Sequence, residues 1–343
     1  MKIFDFFSRN LGIDLGTVNT RIYLKGRGVV INQPTCVAIN TRTNQVIAQG
    51  FSAQKMLGKA PSHVVLIKPL ESGVIIDFEV TEKMLNSAIQ KIQSSLFYLF
   101  HPEVIIPVPL DITEVEKKSF EDVVLRAGVR RVYLIERPVA AAIGMRLPVA
   151  ESIGNIIAEI GGGLTEIAVI ALNGIVAWKS LKIGGETLNK NISQYVREKF
   201  NLLLGEQTVE EIKIKIGSVF PQKENQEMRV KGRDLITGLP KEITISAEEV
   251  REAILPSVNL IVEAISDTIE KTPPELVADI LERGIILSGG GALLKGLTDL
   301  INKKIKIPVH LTDDPSTSVV RGLGLVLEDF ENLKEVLLPL TKD

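Results

Sequence analysis

The sequence predicts an α/β protein with a duplicated core, and three observations carry that prediction. β-rich and helical segments alternate along the whole chain, the pattern of helices packed on sheets. The run Leu11-Gly12-Ile13-Asp14-Leu15-Gly16-Thr17-Val18-Asn19-Thr20-Arg21-Ile22 aligns with Ile156 to Ile167 at a constant offset of 145 residues, which carries Asp14 onto Glu159, Gly16 onto Gly161 and Thr20 onto Thr165. Glycine-rich turns follow apolar strands three times, at Gly16, at Gly161-Gly162-Gly163 and at Gly289-Gly290-Gly291. At roughly 150 residues per domain, a chain of 343 has room for two domains, each with its own core.

Taken in order, apolar runs at 11–15, 20–25 and 28–40 predict a hairpin meander that opens the chain. Helical periodicity covers 81–97 and 113–127; the second helix starts at the capping box Thr113-Glu114-Val115-Glu116 and stops at Gly128. Strands at 103–108 and 131–135 flank that helix, so the unit reads as a parallel crossover. Further capping boxes at Thr208-Val209-Glu210-Glu211, Ser246-Ala247-Glu248-Glu249 and Thr272-Pro273-Pro274-Glu275 open later helices, the last with proline at its first position. The stretch 221–247, rich in charge and turn formers, predicts a small peripheral β insertion.

Composition removes several classes of function. Hydrophobic residues make up 45% and charged residues 24%, and the net charge is -2, so the chain reads as globular and nearly neutral. With only 5% aromatics and no basic excess, a dedicated nucleic-acid binder is disfavoured. The single cysteine, Cys36, lies in an apolar run and is expected as a buried strand thiol in a reducing compartment. No charge-free stretch reaches the ~18 residues of a spanning helix and no signal peptide is evident, so a cytoplasmic location is expected. His63, His101 and His310 are scattered singly, which leaves zinc sites and histidine-based hydrolysis without support. Ser288 lacks a nucleophile elbow and reads as a turn residue.

The chemistry therefore concentrates at the glycine turns. Glycine permits the close backbone approach by which consecutive N–H groups point at an anion. An acidic residue at the end of the preceding strand is suited to hold Mg²⁺ or its waters against phosphate oxygens, and Asp14 and Glu159 form the natural pair. A Walker A motif is absent, and Gly322-Leu323-Gly324 lacks the third glycine of a dinucleotide fingerprint.

At these residues the sequence resembles the actin-like ATPase superfamily and, within it, the bacterial MreB and Mbl cell-shape proteins, over essentially its whole length. Gly12 to Thr20 looks like the family's first phosphate loop, and Ile160-Gly161-Gly162-Gly163 with Thr165 to Ile170 looks like the second. Ile183-Gly184-Gly185-Glu186, Ile212 to Gly217, Pro273-Pro274-Glu275-Leu276 and Ser288 to Leu294 are similar to later signatures. The resemblance implies two ribonuclease-H-like lobes, each with an inserted subdomain and a nucleotide cleft between them. Subdomain IA would comprise 1–32, 72–140 and 320–343, IB 33–71, IIA 141–181 and 247–319, and IIB 182–246.

It also implies ATP bound with Mg²⁺. Thr17, Val18 and Asn19 would meet the β- and γ-phosphates, with Gly161, Gly162 and Gly163 on the other side and Asp14 and Gly16 in the same nucleotide-binding set. Val209, Glu210, Glu211, Ile212 and Lys213 would meet ribose and adenine, although Glu210 and Lys213 read equally as a solvated helix face. Gly289, Gly290, Gly291 and Ala292 would cover the α-phosphate and base.

Three departures from the family pattern matter. Arg137 stands where an acidic residue is expected to order the attacking water, and Glu159 and Leu164 replace an aspartate and a threonine of the second loop. An arginine is not a base and leucine offers no hydrogen bond, so hydrolysis is expected to slow by about 10²- to 10⁴-fold. Glu136, one residue away, is the remaining candidate to orient the water. Two placements of Arg137 are open, one beside the γ-phosphate and one in solvent.

The resemblance further implies self-assembly into filaments at the inner face of the cell membrane, with a RodZ-like adaptor and the wall-elongation machinery as partners. The apolar stripe with Phe4 and Phe7, and the run with Leu96, Phe97, Leu99 and Phe100, are the candidate anchors. A small-molecule kinase of the same superfamily and a non-filamentous membrane adaptor are the alternatives.

Overall fold

A computed structural model describes residues 10–92, 101–221 and 226–339. The chain forms two compact units, one of Met1–Asn155, Ile170–Trp178 and Ser316–Asp343, the other of Ile156–Val169 and Lys179–Pro315.

The first unit is organised by a five-stranded sheet. β1 (Leu11–Leu15), β2 (Asn19–Leu24) and β3 (Gly28–Pro34) form the predicted meander. β4 (Val37–Asn40), β5 (Gln45–Gln49) and β6 (Val64–Ile67) make a separate three-stranded sheet, and β7 (Leu70–Glu71) pairs with β8 (Val74–Ile75). β9 (Glu103–Val108) and β10 (Arg131–Glu136) complete the main sheet in the order β10-β9-β1-β2-β3. β1 runs parallel to β9 and β9 to β10, which places the carboxyl ends of these three strands on one edge. Every residue of β1 is buried, as expected of a central strand covered on both faces. Asp14 is the one charged member of that strand.

Helices Phe78–Ile92 and Glu114–Arg126 pack on this sheet through Met84, Leu85, Phe120, Val123 and Val124, which join Ile13, Ile22, Val104 and Leu134 in one core. The capping box at Thr113 is present in full, its side chain accepting from Glu116 N–H while the Glu116 carboxylate accepts from Thr113 N–H. Gly128 ends that segment at φ +92°, a left-handed conformation that only glycine adopts cheaply. Helix Arg137–Gly144 crosses helix Ser318–Glu328 at backbone contact distance. A methyl group on Gly144 would lie 1.9 Å from the Ser318 carbonyl oxygen, and one on Gly322 would lie 1.7 Å from that of Ala140. Gly322 is thus a packing glycine, and this crossing fixes the helix on which Arg137 begins.

The second sheet consists of β11 (Asn155–Ile160), β12 (Thr165–Ala171), β13 (Gly174–Leu181), β17 (Ile285–Ser288) and β18 (Val309–Leu311), in the order β13-β12-β11-β17-β18. β11 runs parallel to β17 and β17 to β18. Read from its other edge, this is the order of the first sheet. The 145-residue offset carries β1 to Ile156–Ile160, the body of β11, and Thr20 onto Thr165, the start of β12. A third sheet of β14 (Leu202–Leu203), β15 (Glu227–Asp234) and β16 (Pro240–Ser246) is the predicted β insertion.

Three local expectations are corrected. Helix Glu206–Ile216 is capped by Gly205, so Thr208 lies inside its first turn. Helix Pro274–Arg283 does carry proline at its start, but its cap Pro273 makes no side-chain bond, and the Thr272 hydroxyl donates backwards to Thr268 C=O. Cys36 is buried but lies in the bend between β3 and β4; burial raises its pKa, and its thiol contacts Gly50 C=O. Ser246 caps helix Ala247–Glu270 as expected, with the full box to Glu249.

Candidate functional site

The first turn is built by its own backbone. Gly16 N–H donates to Asn19 C=O at 3.1 Å, and a methyl group at Gly16 would press to 2.8 Å from that oxygen. Thr35 ties the turn down from the bend that follows β3. Its N–H donates to Val18 C=O at 2.8 Å and its hydroxyl to Gly16 C=O at 2.7 Å. The Thr17 hydroxyl is buried and accepts from Gly73 N–H, while Val18 is exposed. The loop is therefore preorganised, which is what anion binding by backbone groups needs.

Asp14, at the carboxyl edge of the sheet, is engaged by arginine on two sides. Arg137 donates from Nη1 to Asp14 Oδ1 at 2.8 Å, and Arg21, the cross-strand partner of Asp14 in the β1–β2 register, reaches Oδ2 at 3.5 Å. Arg137 is 7% exposed. It is not in solvent; it begins its helix at the end of β10, one parallel strand beyond β9 from Asp14, and lies in the same unit. Glu136 precedes it as the helix N-cap with no side-chain cap bond, and its partial burial raises its pKa against a smaller opposing effect of Lys117.

The second unit repeats the turn. Gly161 N–H donates to Leu164 C=O at 2.8 Å, the counterpart of Gly16 to Asn19, and a methyl group at Gly161 would lie 3.0 Å from that oxygen. The Leu164 side chain is buried, so its backbone closes the turn while its side chain serves the core. Helix Gly185–Phe200 starts on this turn: Gly185 and Glu186 N–H groups donate to the carbonyls of Gly161 and Gly162. Gly184 makes that approach possible, since a methyl group there would lie 2.6 Å from Gly162 C=O.

The third turn packs against the second. Ser288 is the last residue of β17, paired with Glu159, and Gly289 follows at φ +83°. A methyl group on Gly289 would lie 2.3 Å from Ile160 C=O and 2.8 Å from Glu159 Oε1. Lys213 joins the group by donating to Gly185 C=O at 3.0 Å and pairing with Glu210 at 2.9 Å, where Asn189 also donates. Glu210 and Lys213 are thus a hydrogen-bonded cluster attached to the second turn. Glu211 pairs with Lys215, and the side chains of Val209 and Ile212 are buried.

Thus Asp14, Gly16 to Asn19 and Arg137 come together in the first unit, with Glu136 next to Arg137 in the chain; Glu159, Gly161 to Gly163, Glu210, Lys213 and Gly289 to Ala292 come together in the second. The expected membrane residues Phe4, Phe7, Leu96, Phe97, Leu99 and Phe100 lie outside the described residues. Arg21, Thr35 and Asn189 are participants that the motifs did not single out. The repeat held a signal for Arg21, because the offset sets it opposite Glu166, an exchange of charge inside an otherwise matched segment.

A divalent cation does not fit the Asp14 carboxylate as it stands, because guanidinium groups occupy both oxygens. Among the described residues no group of three or more His, Cys, Asp or Glu side chains is placed to hold a metal ion.

A duplicated five-stranded sheet with a glycine turn on each central hairpin defines an actin-like protein. The MreB/Mbl protein family matches residues 8–335 of this chain. The chain is 43% identical over 327 residues to the cell shape-determining protein Mbl of Bacillus cereus, covering 95% of this chain and 98% of that one. To the cell shape-determining protein MreB of Escherichia coli it is 45% identical over 331 residues, 95% of each chain. The crystal structure of MreB5 of Spiroplasma citri bound to ADP superposes with a TM-score of 0.90 at 32% identity, covering 96% of this chain and 98% of that one. MamK, solved as a double helical filament, shares the fold at a TM-score of 0.78 and 20% identity, covering 93% of this chain and 98% of that one. The chain belongs to the MreB/Mbl family.

Proposed function

We propose that this protein is a nucleotide-binding bacterial cytoskeletal protein of the MreB type that polymerises at the inner face of the cell membrane and takes part in determining cell shape. The observation that carries the reading is the repeated turn: Gly16 to Asn19 and Gly161 to Leu164 close with the same backbone hydrogen bond in a chain 43% identical to a cell shape-determining Mbl. Nucleotide binding is supported by the ADP complex and the AMPPNP complex of the Spiroplasma citri relative. The ligand is ATP, gripped through the phosphate turns, with Lys213 and Glu210 on the nucleoside side and Gly289 to Ala292 over the base. The partition into four subdomains belongs to the same reading. Mg²⁺ enters it only at Glu159, since Asp14 is already engaged.

Hydrolysis is slow in this reading. Arg137 is committed to Asp14 and the Leu164 side chain to the core, which leaves Glu136, next to Arg137 in the chain, as the candidate to orient water. Among the described residues no helix is long and apolar enough to cross a membrane, so attachment is peripheral, through the segments around Phe4 and Phe7 and from Leu96 to Phe100. A RodZ-like adaptor and the wall-elongation machinery complete the proposed partners. Pelleting with ATP and lipid vesicles, read alongside phosphate release, tests the whole: polymer with little phosphate is expected. Absence of polymer in any nucleotide state would overturn the filament reading, and phosphate release as fast as in MreB of Escherichia coli would overturn slow hydrolysis. Replacing Leu96, Phe97, Leu99 and Phe100 by serine is expected to release polymer from vesicles.

A further inference from the structure

The edge strand of the first sheet is shaped against strand pairing. In the β2–β3 register Ile22 faces Ile31 and Tyr23 faces Val29, so Val30 is the extra residue of a bulge. A bulge interrupts the row of backbone groups that another strand would need, and Val29 and Val30 both stand exposed there. Beside the bulge, β3 and the last turn of helix Phe78–Ile92 border a groove of about 380 Å³. Leu24, Val30, Ile31 and Ile92 form its apolar wall, Arg27 and Lys91 are its charged residues, and no carboxylate lines it. Arg27, Lys91 and the neighbouring Lys25 are exposed, and none of the three makes an ion pair among the described residues. The stretches that build the groove, 24–34 and 86–92, contain these three cations and no acid. Glu328 does reach the β2–β3 turn, where it accepts from Gly26 N–H at 2.7 Å and from the Tyr23 hydroxyl. Tyr23 alternates with Ile22 and Leu24, so its ring lies on the other face of the sheet, against Gly324 of helix Ser318–Glu328. The groove is also where both proposed anchors join the unit. Asn10, which follows the segment with Phe4 and Phe7, accepts through its C=O from Lys25 N–H at 3.1 Å, and Ile92 is the last described residue before the run from Leu96 to Phe100.

We propose that this groove seats the headgroups of anionic phospholipids, with Arg27 and Lys91 on the phosphate and Lys25 beside them. An apolar wall rimmed by unpaired cations matches the boundary layer of a bilayer, where anionic headgroups meet acyl chains. The proposal rests on the membrane reading above and adds a lipid preference to it: apolar anchors enter any bilayer, whereas Arg27 and Lys91 favour a negatively charged one. Each subunit of a polymer would repeat the contact, so a weak headgroup site becomes an effective one through avidity.

The test is flotation of the full chain, with ATP, on vesicles of phosphatidylcholine alone and of phosphatidylcholine with phosphatidylserine. The unmodified protein is expected to prefer the phosphatidylserine vesicles, and the preference should shrink as salt is raised. Arg27→Gln and Lys91→Gln are each expected to weaken binding to those vesicles about fivefold, leaving binding to phosphatidylcholine unchanged, while Arg27→Lys retains most of the preference. Lys231→Gln, which removes the same charge from β15 in the other unit, is expected to behave like the parent. Thermal melting confirms that each variant folds, and light scattering without vesicles is expected to show that each polymerises as the parent does. Equal binding of the parent to both vesicles, parental binding by Arg27→Gln and Lys91→Gln, or an equal loss from Lys231→Gln overturns the headgroup site and leaves attachment through the apolar segments intact. Loss of polymer by Arg27→Gln or Lys91→Gln in the absence of vesicles also overturns it, since the groove would then be a contact between copies. Failure of the parent to float with either vesicle overturns the membrane reading as well.

Discussion

The two copies of the sheet hairpin share a backbone and differ in charge. In each, a glycine donates to the carbonyl three residues on, at 3.1 Å in the first and 2.8 Å in the second. Around that common turn the first copy sets Asp14 against Arg21 and Arg137, while the second sets Glu159 against the glycine turn that follows β17 and carries Glu166, buried, where the first has Arg21. Hydrogen bonding fixes the turn, because a tight hairpin leaves few backbone solutions. Charge is set by whatever side chains the adjoining strands deliver, and these have diverged.

The largest test of that contrast concerns packing that exists in one copy only. Gly289→Ala places a methyl group against Ile160 C=O at a left-handed backbone position, and is expected to cost about 3 kcal/mol in urea unfolding. At Gly16, among the described residues, an added methyl group meets only Asn19, so Gly16→Ala is expected to cost about 1–2 kcal/mol, from crowding of Asn19 C=O. Equal losses would mean that the turn, not the packing on it, sets the cost.

The charge cluster comes next. Arg137→Ala removes the stronger partner of a buried carboxylate and is expected to cost about 2–3 kcal/mol, somewhat less than a fully orphaned charge because Arg21 remains. In a double-mutant cycle with Asp14→Asn the coupling should exceed about 1 kcal/mol; additive losses would show the pair to be energetically independent.

Helix starts give a smaller, sharper comparison. Ser246→Ala removes a side-chain cap and is expected to lose about 1 kcal/mol, whereas Thr208→Ala, inside the first turn of a glycine-capped helix, should stay within about 0.5 kcal/mol.

The smallest effect is pH-dependent. Burial raises the pKa of Glu136 in the folded protein, so the folded state favours its protonated form. The stability this gives is complete below the unfolded pKa and is lost as pH rises through the folded value. Glu136→Gln is therefore expected to be slightly more stable than the parent at pH 7, and the gap should close below about pH 4. Melting curves that run parallel across that range would contradict the assignment.

Much of this architecture was legible in the chain. The offset that carries Asp14 onto Glu159 and Gly16 onto Gly161 foretold two sheets with one strand order, because a repeat of apolar and glycine positions repeats the backbone they permit. Capping at Thr113 and Ser246 was readable because those bonds span three residues. Thr208 and Thr272 match the same pattern and do not cap, since where each helix begins was decided elsewhere, by Gly205 and by Pro273 with Pro274.

What sequence alone determined, then, was periodicity, repetition and the glycine turns, all of them consequences of short-range sterics. That Arg137 meets Asp14 was decided by tertiary structure. The two residues are 123 positions apart and become neighbours only because β1, β9 and β10 run parallel and the Gly144 and Gly322 crossing holds the helix that starts at Arg137. Long-range charge pairing follows from strand order, and strand order is settled by burial of the whole apolar set, not by any local signal.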